Sequence, residues 1–226
     1  DLNIAVSPED KALFERLSPG VRCEVIPNGV DTDEFRPAEV PEAGCVFVGG
    51  TSWFPNKDAL SWYSKEILPL LDELPEQPLT NWVGRASDEE IRAHSGSSLA
   101  LTGYVPDIRP YVHQAAVFVA PLRVGGGTRL KILDAWAMGK AVVSTRVGCE
   151  GLAVNDGENI LIADDSAAFA AAVSRLLRHE DLRRRIGLAA RRLVEERYSW
   201  KFLGGKIYNL YNSVIRDSAQ KVGTAG

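Results

Sequence analysis

Residues 116–136 read AVFVAPLRVGGGTRLKILDAW. AVFVAP is a continuous apolar run of strand length, and LKILDAW repeats its apolar residues at helical spacing, so the stretch predicts a strand, a three-glycine turn and a helix. The same alternation extends to both sides. CVFVGG (45–50) precedes a helical pattern from Asn56 to about Glu73, with Leu60, Ile67 and Leu71 on one face. LTNWVG (79–84) precedes a short helix near Asp88–His94, and SLALTG (98–103) precedes one near Asp107–Gln114. AVVST (141–145) and NILIA (159–163) complete six expected strands. Continuous apolar strands alternating with helices predict a doubly wound α/β fold, a Rossmann-like parallel sheet buried on both faces.

Beyond the sheet the pattern is helical, with Phe169, Val173 and Leu176 as one stripe and Leu182, Ile186, Ala189 and Leu193 as another, both read as core faces. Residues 174–197 carry eight arginines against Glu180, Asp181, Glu195 and Glu196. A solvated face is the simpler reading of that run, and contact with an anionic membrane surface is the alternative. A last helix is expected over Trp200–Arg216, followed by a frayed tail, 217–226. The first 43 residues differ from the rest. NIAVS reads as a strand, Ser7-Pro8 opens a short helix, CEVIP reads as a second strand, and Pro27, Asn28-Gly29, Pro37 and Pro41 mark a linker. Residues 1–43 are therefore expected to belong to or lead from a neighbouring lobe, with the main domain over 44–216.

Composition narrows the function classes. At 45% apolar and 25% charged residues and a formal charge of −4, the 226-residue chain has no whole-molecule attraction to nucleic acid. Cys23, Cys45 and Cys149 lack metal-ligand spacing and suit buried reduced thiols in a cytoplasmic protein. No run approaches the roughly 20 apolar residues of a membrane span, and an opening at Asp1 reads as an internal start.

In open parallel sheets ligands gather beyond the carboxyl ends of the strands. Here those ends are Gly49-Gly50, Gly84-Arg85, Gly103-Tyr104, Pro121 and Thr145. The glycines at 125–127 expose backbone amides just before a helix whose first N–H groups have no internal partners, which makes an anion site. Arg129 and Lys131 are expected in that helix's first turn, where the macrodipole disfavours a cation by roughly 0.3–1 kcal/mol. A bound diphosphate repairs the conflict; the alternative is that both side chains reach solvent or pair with nearby carboxylates. Asp134, three residues after Lys131, is placed to accept ribose hydroxyls, or else forms an ordinary i, i+3 pair with Lys131. The turn matches neither GxxxxGK[ST] nor GxGxxG, so neither a P-loop nucleoside triphosphatase nor a dinucleotide-binding dehydrogenase is supported.

VSPEDKALFERL (6–17), VIPNGVDTDEFRP (25–37), the Pro-Asn-containing VFVGGTSWFPNKDALSWYSKEILPLL (46–71) and the long block from Leu101 to Asp165 resemble, in that order, the C-terminal nucleotide-sugar-binding lobe of the family 4 (group 1) glycosyltransferases of GT-B fold. The resemblance implies a retaining, metal-independent transfer of a sugar, of hexosyltransferase type, from a nucleotide diphosphate sugar to an acceptor hydroxyl. The nucleotide sugar is the substrate, and no cofactor is implied. It also implies that a missing N-terminal acceptor lobe supplies the remaining machinery, so the isolated chain binds donor but scarcely turns it over. Position by position, Gly49 and Gly50 line the donor site, Tyr104, Val105 and Pro106 edge the base, and the amides of Thr128, Arg129 and Leu130 meet the phosphates beside Gly126 and Gly127. Asp134 falls on the second acid of an E-x7-E pair and holds ribose. The first acid falls on Gly126, so the chain lacks that sugar-binding carboxylate. Where relatives place an arginine and a lysine after the first strand, only Lys57 is present, and Arg129 and Lys131 are expected to act in their place as the catalytic cations. Glu150 is left without a role. The competing reading is a non-catalytic nucleotide-binding module on the same lobe.

Overall fold

The structure, a computed structural model, describes residues 2–223, with side chains to residue 216. It opens with β1 (Asn3–Ala5), α1 (Pro8–Leu17) and β2 (Cys23–Val25). The Ser7 hydroxyl caps α1 by accepting the Asp10 amide at 3.0 Å, with Pro8 in the first turn. The two strands pair in parallel as a small sheet of their own. A linker then leads to β3 (Cys45–Val48).

From there strand and helix alternate: α2 (Phe54–Trp62), α3 (Leu68–Asp72), β4 (Thr80–Val83), α4 (Asp88–His94), β5 (Leu99–Gly103), α5 (Arg109–Gln114), β6 (Val117–Ala120), α6 (Leu130–Ala137), β7 (Ala141–Ser144) and β8 (Leu161–Ile162). The six strands from β3 onward form one sheet in the order β5-β4-β3-β6-β7-β8, every pair parallel. Successive residues of β3 point to opposite faces, and both faces are dry. Phe47 stacks on Trp82 at 3.8 Å and packs with Leu60, Tyr63 and Phe169. On the other face, Val46, Phe118 and Val142 pack against Ile132, Trp136 and Val194. Two buried faces explain why the strands carry no polar alternation.

Three helices close the chain: α7 (Ser166–Arg178), α8 (Glu180–Arg197) and α9 (Trp200–Gly223). Phe169, Val173 and Leu176 of α7 are buried as expected. The buried face of α8 is Ile186, Gly187, Ala190 and Val194, rotated from the expected stripe so that Leu182, Ala189 and Leu193 are only partly buried. Gly187 causes the rotation. A Cβ there would collide with the Gly139 carbonyl, so its bare backbone is what lets α8 settle against the turn after α6. The last helix runs beyond the expected end at Arg216 to Gly223, because no glycine or proline interrupts 217–222. The remainder of the expected frayed tail, 224–226, lies outside the described residues. Of the eight arginines in 174–197, Arg178, Arg183, Arg184 and Arg191 form ion pairs with Glu76, Glu42, Glu180 and Glu195. No described helix is long and apolar enough to cross a membrane.

Candidate functional site

The glycine turn lies beyond the carboxyl end of β6, at the centre of the sheet, where strand order reverses between β3 and β6. Gly125 and Gly127 adopt φ of 112° and 83°, in the region that favours glycine. A Cβ built on Gly126 or Gly127 would find no atom within 4 Å, so the turn borders open space. Gly49 and Gly84 have a different reason to be glycine. A Cβ on Gly84 would lie 2.7 Å from the backbone of Gly49, and one on Gly49 would lie 2.6 Å from Asn56 Nδ2 and 2.8 Å from Lys131 Nζ. These two let the ends of β3 and β4 close while a lysine and an asparagine cross above them.

Lys131 is the second residue of α6. Its ammonium donates to Asn56 Oδ1 at 2.7 Å and stands 4.1 Å from the centroid of the Phe47 ring. Asn56 is buried and is itself fixed by donating from Nδ2 to the Gly50 carbonyl at 2.8 Å. Among the described residues no carboxylate pairs with Lys131, and burial, with the Arg129 charge beside it, lowers its pKa to about 7. Neither an exposed side chain nor an i, i+3 pair with Asp134 describes it. Asp134 is half-buried, and burial, assisted by Glu34, raises its pKa to about 6.

Arg129 is not in the first turn of α6 but caps it, with φ −88° and ψ 77°. Its buried guanidinium runs beneath the glycine turn, donating from Nη1 to the Gly126 carbonyl at 3.0 Å and from Nε and Nη2 to the Val147 carbonyl at 3.3 and 3.2 Å. Glu150 Oε2 lies 4.0 Å from Nη2. Burial lowers the Arg129 pKa, against the pull of Glu150. Arg129 thus ties the glycine turn to the short 3₁₀ turn at Val147–Cys149. The Thr128 hydroxyl is buried and has no hydrogen-bond partner among the described residues. The Leu130 amide folds back on the Thr128 carbonyl at 3.2 Å, so of the three expected phosphate-facing amides those of Thr128 and Arg129 are the better placed to meet a ligand.

At the other end of the same rim, Tyr104 is exposed and its ring lies 5.0 Å from the Arg85 guanidinium. Val105 packs partly on the core and Pro106 is exposed. Arg85 is linked to the β3 turn, since its carbonyl accepts the Thr51 amide at 2.8 Å. Lys57 faces elsewhere, pairing with Glu90 at 3.2 Å and joining α2 to α4. Glu90 is held well below the usual carboxylate range, at about 2, by the Ser87 amide first and then by Thr51. Sequence reading marked Arg85 as a strand-end position but missed Asn56, one residue before Lys57, although the Pro-Asn motif was visible, and it missed Phe47. No pattern at those positions distinguishes a side chain that supports a site from one that merely packs. All three cysteines are buried and unpaired, and His94 and His113 engage the Ser64 hydroxyl and the Arg36 carbonyl at 3.1 and 2.9 Å.

A doubly wound parallel sheet with an open glycine turn at its switch point defines a Rossmann-like α/β domain. The profile of the family described as glycosyl transferases group 1 matches residues 42–179, more than half of the chain, and the chain belongs to that family. It is 31% identical over 209 residues to a phosphatidyl-myo-inositol mannosyltransferase of Mycobacterium leprae, covering 86% of this chain and 54% of that protein. Among solved structures it resembles a sucrose-phosphate synthase of Thermosynechococcus elongatus, with a TM-score of 0.76 at 20% identity over 96% of this chain and 59% of the other. It also resembles the Anabaena protein HepE, solved in complex with UDP and glucose, with a TM-score of 0.75 at 17% identity over 94% and 63%. These likenesses confirm the GT-B glycosyltransferase architecture. The chain spans about half the length of the curated relatives it matches.

Proposed function

We propose that this chain is the donor-binding lobe of a retaining, metal-independent glycosyltransferase, of hexosyltransferase type, that uses a nucleotide diphosphate sugar. The observation that carries this is Lys131. A half-buried ammonium that pairs with no carboxylate among the described residues stands in the first turn of a helix, beside an open glycine turn. A partly desolvated, uncompensated charge is unfavourable, and a bound diphosphate supplies both the missing charge and acceptors for the turn amides. HepE, with UDP and glucose bound, supports the same ligand class.

On this reading Lys131 and the amides of Thr128 and Arg129 hold the diphosphate, while Arg129 acts mostly by fixing the turn. Asp134 accepts the ribose hydroxyls, and the Tyr104–Pro106 turn edges the base. The leaving diphosphate gains negative charge as the glycosidic bond breaks. Preorganised donors aimed at it therefore favour the transition state without a covalent nucleophile. Residues 1–43 are the end of an acceptor lobe whose remainder completes the enzyme, and buried reduced thiols suit a cytoplasmic location. Without that lobe the chain binds donor and does not turn it over.

Calorimetric titration with UDP-, GDP- and ADP-sugars tests the proposal. Saturable micromolar-to-millimolar binding to one of them, abolished by Lys131→Ala, is expected; silence of the wild-type chain toward all three would falsify it. A non-catalytic nucleotide module, the reading favoured by Gly126 in place of an acid, predicts the same binding but no turnover once the acceptor lobe is present.

A further inference from the structure

We propose that Glu150 is the side chain that recognises the sugar of the donor, accepting hydrogen bonds from its hydroxyls. This rests on the donor reading above and adds a specificity-determining residue to it.

Sheet order supplies the first argument. On the donor reading the base is edged by the turn after β5 and the diphosphate lies between the ends of β3 and β6; the next strand outward is β7. A donor laid across this rim with its base at β5 therefore carries its sugar toward the turn that follows β7, which is Val147–Glu150. That turn is firmly held: the Gly148 amide donates to Thr145 Oγ1 at 2.8 Å and the Cys149 amide to the Thr145 carbonyl at 3.2 Å. The Glu150 side chain projects from it and is 57% exposed.

The second argument is chemical. Sugar hydroxyls need acceptors, and the turn at Gly126–Gly127 presents no side chain at all. Of the other carboxylates near the rim, Asp134 is assigned to the ribose on the donor reading, Glu90 is engaged by Thr51 and Lys57, and Asp58 by Arg123. Glu150 is held only loosely, at 4.0 Å from Arg129, which leaves lone pairs on both oxygens. The same guanidinium bonds the Gly126 carbonyl, so the carboxylate lies close to the glycine turn while staying free to accept from a ligand.

The third is position relative to the acceptor side. A Cβ built on the neighbouring Gly151 would lie 3.9 Å from both Thr128 Oγ1 and Ser7 Cβ. The 150–151 turn thus stands between the phosphate site and the N-terminal segment, where a transferred sugar must sit.

The test compares bare and sugar-bearing ligands, UDP against UDP-glucose and GDP against GDP-mannose, on the wild-type chain and on Glu150→Gln. For the base that binds, the wild type is expected to hold the sugar-bearing donor about tenfold more tightly, the worth of about one charge-assisted hydrogen bond. Glu150→Gln is expected to erase that difference while leaving the bare diphosphate within about twofold. A difference that persists in the variant, one absent from the wild type, or equal weakening of both ligands overturns the inference and leaves the donor reading standing. Failure of the wild type to bind either ligand of both pairs, and an ADP-sugar as well, removes the donor reading itself.

Discussion

Lys131 and Asp134 lie three residues apart on α6 and are displaced toward each other in pKa, the lysine down to about 7 and the aspartate up to about 6. Both shifts arise chiefly from burial, which penalises the charged form of each. Phosphate binding needs the ammonium and ribose binding needs the carboxylate. Donor affinity is therefore expected to rise through about pH 6, fall through about pH 7, and peak between them. Calorimetry across pH in two buffers of different ionisation enthalpy will also show proton uptake on binding above pH 7, as the diphosphate restores charge to Lys131. Stability responds with its own sign. The folded chain releases the Lys131 proton more readily than the unfolded one, so this group makes stability rise from about pH 7 toward 10.5, and Lys131→Met removes that rise. Asp134 has the opposite history: its contribution is lost as pH climbs from 3.8 to about 6. Asp134→Ala is expected to stabilise the free protein at pH 8 while abolishing its preference for ribo- over 2′-deoxynucleotides, read by thermal unfolding and by titration. Lys131 was legible because it breaks a local rule, a cation where the helix dipole disfavours one, and Asp134 because it follows three residues later on the same helix. Arg129 broke the same rule for another reason, since its charge serves two carbonyls under the turn.

At the scale of elements, the strands were readable because burial on both faces leaves unbroken apolar runs. CVFVGG and AVFVAP end within two residues of β3 and β6. What sequence could not show was how helices rotate when they pack. The stripe expected on α8 does pack on the core through Leu182, Ile186 and Leu193, but Gly187 settles against the Gly139 carbonyl and the most buried line shifts to include Ala190 and Val194 in place of Ala189. Gly187→Ala is expected to push α8 from that turn and to lower stability by about 1–3 kcal/mol, the usual cost of overpacking, visible as a fall in Tm of several degrees. The turn itself is separable from this packing. Alanine at Gly126, which meets open space, leaves Tm nearly unchanged and affects only ligand binding.

The whole molecule is asymmetric in what it leaves uncovered. Leu13, Phe14 and Leu17 of α1 and Trp200, Phe202, Tyr208, Tyr211 and Ile215 of α9 are exposed, whereas the six-stranded sheet is covered on both faces. The separate β1–β2 sheet belongs to this same N-terminal region. On the proposed reading these surfaces meet the acceptor lobe. Restoring that lobe in one chain is expected to bring sugar transfer to an acceptor hydroxyl, while the 226-residue chain shows none above background; the assay is product formation from the donor sugar that the chain binds. The central claim is that a diphosphate sits across the glycine turn, and a crystal structure of this chain soaked with the nucleoside diphosphate it binds tests that most directly. The account predicts a phosphate oxygen within hydrogen-bond distance of Lys131 Nζ and of the Thr128 and Arg129 amides, with the ribose on Asp134. A diphosphate bound elsewhere on the molecule, with Lys131 still engaged only by Asn56, contradicts it.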